Sequence, residues 1–191
     1  MSPRTIKQNL EIRKQKEELI LSAALKLFSE NGFLGTSMQN ISKEAGVSKG
    51  NIYNYFESKD DLLEGVLIQG MNEFSSLLGS YSDGLKTEED FEKAIRGNIQ
   101  ILKSNNKYWK LYFSILTQPQ SQLLFQKIFA PFLADYLKVF ENYFKRKGDE
   151  NPHVTSMLLG STLDGISLGY LMMGDLYPLD NVLNELIEKF K

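Results

Sequence analysis

The chain has 191 residues, of which 42% are hydrophobic, and it contains no cysteine. This length and apolar content suit one compact chain with a substantial core, and the missing cysteine excludes a disulfide framework, a thiol nucleophile and a cysteine-ligated zinc site. The formal net charge of −2 argues against a general nucleic-acid coat protein.

The N-terminal part of the chain is locally basic. Residues 1–59 hold nine Lys or Arg against six Asp or Glu, and residues 1–13 form a predicted basic arm. Two interpretations of the arm remain open: it contacts DNA phosphates, or its charges solubilise a disordered tail. In either case, this end of the chain is the candidate for contact with nucleic acid.

Residues 37–56 predict two short helices joined by a tight turn. Gly46 stands where the chain leaves the first helix, and a left-handed conformation at that point favours glycine. The apolar side chains are spaced so that the two helices bury one shared seam; they are Ile41, Ala45, Val47, Ile52 and Phe56.

Hydroxyl side chains mark the predicted helix starts. Thr36, followed three residues later by Gln39, has a capping-box pattern, Ser48 precedes the second helix, and Ser58 with Asp61 begins the next. Exposed helix N-termini also attract phosphate oxygens, while Lys, Asn and Tyr side chains bind phosphates or base edges. The predicted DNA-contacting residues are Thr36, Ser37, Gln39, Ser48, Lys49, Gly50, Asn51, Tyr53, Asn54, Tyr55 and Lys59.

Residues 17–65 resemble the N-terminal domain of the TetR family of bacterial transcriptional regulators. Ser42, where the family more often has Ala, and Asn54, at a position that varies with the operator, are small departures. The resemblance rests on agreeing residues in this order: Leu19-Ile20, Ala23-Ala24, Leu27-Phe28, Gly32-Phe33, Thr36-Ser37, Ile41, Ala45-Gly46-Val47-Ser48-Lys49-Gly50, Ile52-Tyr53, Tyr55-Phe56, Ser58-Lys59 and Leu62.

The resemblance implies an all-α fold with a three-helix helix-turn-helix head, here residues 14–70, and a helical effector-binding and dimerisation domain, here residues 71–191. It implies a homodimer, paired through helices at about 121–147 and 152–176, that reads a palindromic double-stranded operator. It also implies that a small molecule enters the second domain and moves the helix beginning at Ser58. Repression is expected by analogy with the family.

Short breakers divide the second part into predicted helices at about 60–79, 88–104, 106–117, 121–147, 152–176 and 180–190, with Pro131 kinking or dividing the fourth. The apolar segment 157–173 is too short to span a membrane and carries a central Asp164. Ser161, Gly165 and Gly169 recur every four residues. This stripe favours a partner helix, although packing within one chain would also explain it.

Aromatic side chains and one carboxylate are the candidates for the effector site. A carboxylate among apolar residues must be paired, hydrated or at an opening, but aromatics at helical spacing also suit an ordinary core. The predicted ligand-binding residues are Phe74, Trp109, Tyr112, Phe113, Asp164 and Tyr170.

Catalysis is not expected, because His153 is the only histidine and no nucleophile, metal or nucleotide motif accompanies it. We therefore expect no cofactor and no metal. The simplest compartment is the bacterial cytoplasm, with the protein at the nucleoid when DNA-bound. The alternative function is a helix-turn-helix that binds a protein; the Lys and Tyr residues on the second helix favour DNA instead.

Overall fold

The computed structural model describes residues 5–81, 84–116, 118 and 121–191, and the side chains of their helices except those of residues 73, 74, 77, 78, 121 and 125. The chain is 84% helical and no strand occurs in these ranges, so the all-α prediction is confirmed. None of the described helices is both long enough and apolar enough to cross a membrane.

Two compact units, Met1–Gln69 and Gly70–Lys191, make up the chain. The first contains α1 (Ile6–Gly35), α2 (Met38–Glu44), α3 (Lys49–Ile52) and the beginning of α4 (Lys59–Gly79). Because α4 runs past Gln69, it contributes residues to both units.

The long helix α1 builds the core of the first unit. Ile20, Ala24 and Phe28 recur at intervals of four, which places them on one face, and all three are buried. At Gly32 the backbone leaves the helical conformation with φ 73° and ψ 161°. Phe33, directly after this break, packs with its ring centroid 5.3 Å from that of Phe28. Residues 6–13, within the predicted basic arm, form the first turns of α1.

The second unit contains the rest of α4, α5 (Glu88–Ser104), α6 (Asn106–Leu116), α7 (Ser121–Leu124), α8 (Ala130–Arg146), α9 (Pro152–Met173) and α10 (Leu179–Phe190). These bounds confirm the predicted helices to within a few residues. The predicted helix 121–147 is divided by a π-helical turn, Phe125–Phe129, just before Pro131. Proline has no N–H to donate to the preceding turn and its ring clashes with that turn, so it stands at the start of a helix.

Aromatic packing fixes the core of the second unit. The Phe91 ring stacks on Tyr143 with centroids 4.8 Å apart and meets the Phe140 ring edge-on at 5.9 Å. Gly70 lies against the buried Tyr108, since a Cβ there would be 1.9 Å from Tyr108 Cε2. Only glycine permits this approach of α4 to α6.

Helices α8 and α9 pack against each other in opposite directions. Near their connection, His153 Nδ1 lies 3.0 Å from Glu141 Oε2. Farther along, a Cβ at Gly160 would lie 3.7 Å from Leu137 Cδ2. The predicted surface position of His153, at the start of a helix, is confirmed.

Candidate DNA-binding surface and effector cavity

The second and third helices meet along the predicted apolar seam. Ile41 and Ile52 are completely buried and Phe56 is nearly so. Gly46 has φ 67°, which confirms the left-handed turn, and the Val47 N–H donates to Ser42 O over 3.0 Å. The seam determines which side of α3 is turned to the core, and so leaves the other side for solvent.

Serine hydroxyls cap the helices of this region. The Asn51 N–H donates to Ser48 Oγ over 3.2 Å, and the Asp61 N–H donates to Ser58 Oγ over 3.0 Å. These two predicted caps are confirmed. The cap of α2 is Ser37, whose Oγ accepts from the Asn40 N–H over 3.2 Å.

The predicted role of Thr36 as a helix cap is wrong. Thr36 is only 3% exposed. Its hydroxyl donates to Gly32 O, 2.9 Å away, and also lies 3.2 Å from Leu27 O. Thr36 therefore closes the end of α1, and its hydroxyl is not available to a DNA phosphate.

Nine of the eleven predicted DNA-contacting residues reach the surface around α2 and α3. Asn51 and Tyr55 are half-buried. The exposed ones are Ser37, Gln39, Ser48, Lys49, Gly50, Tyr53 and Asn54. A Cβ at Gly50 would meet nothing within 4 Å, so this part of α3 presents an open backbone. The exposed set combines a cation, hydroxyls and amides, the groups that bind phosphates and base edges.

Arg13 joins this surface from α1, which the helix-turn-helix pattern does not reveal. Its Cζ lies 5.1 Å from the centroid of the Tyr55 ring, and its Nη2 donates to Asn54 O over 3.4 Å. No local sequence signal links residues so distant in the chain. The packing places an exposed guanidinium directly beside the predicted reading helix.

Lys59 has a structural role that sequence reasoning missed. Its Nζ donates to Phe33 O and Thr36 O, each at 2.9 Å, and lies 4.4 Å from the centroid of the Phe33 ring. The ammonium thus satisfies carbonyls at the end of α1. We therefore remove Lys59 from the predicted phosphate contacts.

Replacement of Lys59 by methionine is expected to destabilise the first unit by about 2 kcal/mol, because two half-buried carbonyls lose a charged donor. Urea unfolding followed by circular dichroism measures the change. The matched control is Lys49→Met, which removes an exposed lysine of α3. Equal stability of the two variants would contradict the assignment.

A cavity of about 180 Å³ lies inside the second unit. Residues from α4, α5, α6, the π-helical turn, α8 and α9 form its wall, and most of them are apolar or aromatic. The lining consists of Met71, Asn98, Ile99, Leu102, Trp109, Tyr112, Phe129, Phe132, Leu133, Tyr136, Leu137, Met157, Gly160, Ser161, Leu163, Asp164 and Ser167.

Asp164 is the charged group of this described lining. The residue keeps contact with solvent, yet enough protein surrounds its carboxyl that desolvation raises its pKa to about 6. Burial, and secondly the charge of Asp164, raise the pKa values of the Tyr112 and Tyr136 hydroxyls above their usual range. Near neutral pH the cavity therefore holds one carboxylate and two neutral phenols.

Three of the six predicted ligand-binding residues line the cavity: Trp109, Tyr112 and Asp164. Phe113 does not line it, although its ring packs 5.0 Å from that of Tyr112. Tyr170 borders a separate depression near the start of α10. The side chain of Phe74 lies outside the described residues. Sequence reasoning therefore placed Phe113 and Tyr170 wrongly with respect to this cavity.

Sequence reasoning also missed Phe129, Phe132 and Tyr136, which bring aromatic rings from the π-helical turn and α8. Their spacing of three and four residues was a usable signal, because it places all three on one side of a helix. The Phe129 and Tyr112 ring centroids lie 5.0 Å apart. Among the described residues, no cluster of His, Asp or Glu is arranged to hold a metal ion.

Residues 20–66 match the family model for bacterial regulatory proteins of the tetR family. Residues 20–66 therefore carry a TetR-family DNA-binding domain. The match covers α2, α3 and the flanking parts of α1 and α4, which are the elements that carry the seam, the caps and the exposed residues predicted to contact DNA. The matched segment corresponds to the DNA-binding part of the regulatory proteins of this family.

Curated relatives are similar either in this segment or over most of the chain. The uncharacterized HTH-type transcriptional regulator YuxN of Bacillus subtilis (strain 168) is 52% identical over 54 residues, which are 28% of this chain and 19% of YuxN. The fatty acid metabolism regulator protein of the same organism is 23% identical over an alignment covering 92% of this chain and 94% of that protein. The chain thus spans about a fifth of one relative and nearly all of the other.

A solved structure extends the likeness to the fold of the whole chain. The transcriptional regulator FadR from Bacillus subtilis, solved in complex with stearoyl-CoA, superposes with a TM-score of 0.77 at 23% sequence identity. The superposition covers 91% of this chain and 96% of that chain. At this identity the comparison establishes the shared fold, including the helical second unit.

Proposed function

We propose that the protein is a ligand-responsive transcriptional repressor, which binds a palindromic operator as a homodimer and is released by a small molecule. The observation that carries the proposal is the exposed face of α3. There Lys49, Gly50 and Tyr53 are open to solvent while Ile52 is buried behind them. A reading helix held in this way by its partner helix is the arrangement that enters a DNA major groove.

An exposed apolar stripe on α9 supports the homodimer. Val154, Leu158, Leu168 and Met172 are between 41% and 78% exposed. With Ser161 and Gly165 they recur at alternating steps of four and three residues, the spacing of a helix that packs along another helix. A Cβ at Gly165 would meet nothing within 4 Å, whereas one at Gly169 would lie 2.7 Å from Tyr177 of the same chain. The small-residue stripe is therefore free at Gly165 and occupied at Gly169.

The cavity in the second unit supports the small-molecule effector. Its aromatic lining and single carboxylate combine apolar surface with one polar anchor, as small-molecule sites do. Met71 of α4 forms part of the wall, and the same helix begins at Lys59 in the first unit. A molecule that alters the position of Met71 therefore acts on a helix shared by both units. The stearoyl-CoA bound to FadR supports a small-molecule ligand for this fold.

Selection from a random double-stranded DNA library at about physiological salt tests the proposal, because non-specific affinity is weak there. We expect sequencing to recover a palindrome whose half-sites are separated by about one helical turn or a multiple of it. A folded, dimeric protein that enriches no sequence would contradict operator binding. It would favour the alternative in which the head binds a protein.

A further inference from the structure

The aromatic and charged groups of the cavity wall favour a ligand of one sign of charge. Tyr112, Phe129, Phe132 and Tyr136 contribute aromatic rings, and Asp164 contributes a carboxylate. No lysine, arginine or histidine occurs in the described lining. The faces of aromatic rings carry partial negative charge and attract cations, so the rings and the carboxylate favour the same sign of ligand charge.

The alternatives for this carboxylate are less favourable. An anionic ligand in the cavity would meet Asp164 without a compensating cation from the described wall. A purely apolar ligand would displace water from a charged group and give it no partner. His153, the only histidine of the chain, pairs with Glu141 near the start of α9, eleven positions before Asp164.

The size of the cavity limits the ligand. Its volume of about 180 Å³ is close to that of a roughly 150 Å³ apolar cavity that binds benzene. A single aromatic ring with a few further heavy atoms fits this space. A long acyl chain needs a larger one.

We propose that the effector cavity takes a small aromatic organic cation, whose ring lies among the aromatic side chains and whose cationic nitrogen faces the Asp164 carboxylate. This inference rests on the proposed ligand-responsive function and specifies the chemistry of its effector. Asp164 lines the cavity and is open to solvent, so its carboxylate is accessible to a cation whose ring contacts the aromatic lining.

Protonation of Asp164 should make the affinity for a permanently charged cation depend on pH. Desolvation raises the pKa of this carboxyl to about 6, so it is ionised at pH 7.5 and mostly protonated at pH 5. The titratable groups facing it in the described lining are Tyr112 on α6 and Tyr136 on α8, whose raised pKa values keep both neutral throughout this range. Affinity for the cation should therefore fall about tenfold between pH 7.5 and 5.

Binding is measured with the full-length protein and benzyltrimethylammonium. Trp109 is the only tryptophan of the chain and lines the cavity, so its fluorescence reports occupancy of this site. We expect a saturable fluorescence change with the cation. Neopentylbenzene, its neutral isostere, should bind about tenfold more weakly or worse, and the anion 3-phenylpropionate should produce no saturable change.

The variant Asp164→Asn tests the carboxylate directly. It should weaken binding of benzyltrimethylammonium about tenfold or more and remove the pH dependence. The affinity for neopentylbenzene should stay the same or rise, because this ligand no longer displaces water from a charged group. The matched control is Asp135→Asn, which neutralises an exposed carboxylate of α8 that does not line the cavity. This control should behave like the original protein.

Equal affinity for the cation and its neutral isostere would overturn the inference, and so would unchanged cation binding by Asp164→Asn. Release of operator DNA, measured with benzyltrimethylammonium and with stearoyl-CoA, separates this failure from failure of the proposed function. If stearoyl-CoA but not the cation releases operator DNA, the cation inference fails and the ligand-responsive regulator stands. If the protein enriches no operator, the proposed function fails, while Trp109 still reports whether the cavity binds the cation.

Discussion

Replacement of Gly165 by glutamate is expected to convert the proposed homodimer to a monomer and to lower the affinity for operator DNA by at least about 100-fold. Gly165 lies in the middle of the exposed stripe of α9, between Leu158 and Leu168. In a symmetric dimer each substitution occurs twice, so two unpaired charges would enter the interface. An unpaired buried charge costs roughly 3–5 kcal/mol, which exceeds the loss needed for a 100-fold effect.

The same substitution should weaken the dimer but leave the fold of the single chain intact, so that loss of the dimer can be told apart from loss of folding. A side chain at Gly165 would meet nothing of its own chain within 4 Å. Glutamate is also a better helix former than glycine, so the helix itself should gain a few tenths of a kcal/mol. A variant that simply fails to fold would lose its helical circular dichroism.

Analytical ultracentrifugation at micromolar and nanomolar concentrations measures the dimer, and fluorescence anisotropy with a selected operator measures DNA affinity. The control is Gln100→Glu, which adds the same charge at an exposed glutamine of α5, outside the two helices expected to pair in the dimer. This control should remain dimeric and bind DNA normally. A dimeric Gly165→Glu protein would show that the copies do not pair through this stripe.

The double variant Lys49→Ala with Tyr53→Phe is expected to lose about 100-fold in operator affinity at physiological salt without loss of fold. Lys49 is exposed and Tyr53 is 47% exposed, so neither belongs to the apolar seam in which Ile52 is buried. Each subunit loses a cation and a hydroxyl donor, and the dimer loses two of each. Urea unfolding should match that of the original protein.

The salt dependence of binding identifies the kind of contact that Lys49 makes. Each phosphate neutralised by a cation contributes about 0.9 to the slope of log affinity against log salt. The single variant Lys49→Ala should therefore reduce this slope by about 2 in a dimer, uniformly across operator sequences. Lys138→Ala, which removes an exposed lysine of the second unit, is the control and should leave the slope unchanged. An unchanged slope for Lys49→Ala would assign its contact to a base edge or to no DNA group.

Local signals were sufficient for the helices and for the exposed surface of α3. Gly46 predicted the turn, Ser48 and Ser58 predicted helix starts, and the spacing of Ile41, Ile52 and Phe56 predicted the seam. These features depend on residues close together in the chain, so backbone geometry and helical periodicity determine them. The family followed from the same short segment.

Long-range packing decided the points that sequence reasoning missed. Thr36 and Lys59 had the chemistry of DNA-binding residues, but the end of α1 uses both to satisfy backbone carbonyls. Phe132 and Tyr136, two of the aromatic residues that line the cavity, come from α8. Arg13 contacts Tyr55, which is more than forty residues away in the chain.

The sequence by itself determined the all-helical fold, the helix-turn-helix and the family, because each is encoded in neighbouring residues. Only the tertiary structure decided which polar groups remain free for DNA and which side chains surround Asp164. The physical reason is that a lysine or a hydroxyl can donate a hydrogen bond to a backbone carbonyl or to a DNA phosphate, and its neighbours in sequence do not determine which of the two it meets. The partner it meets depends on which distant elements the core brings together.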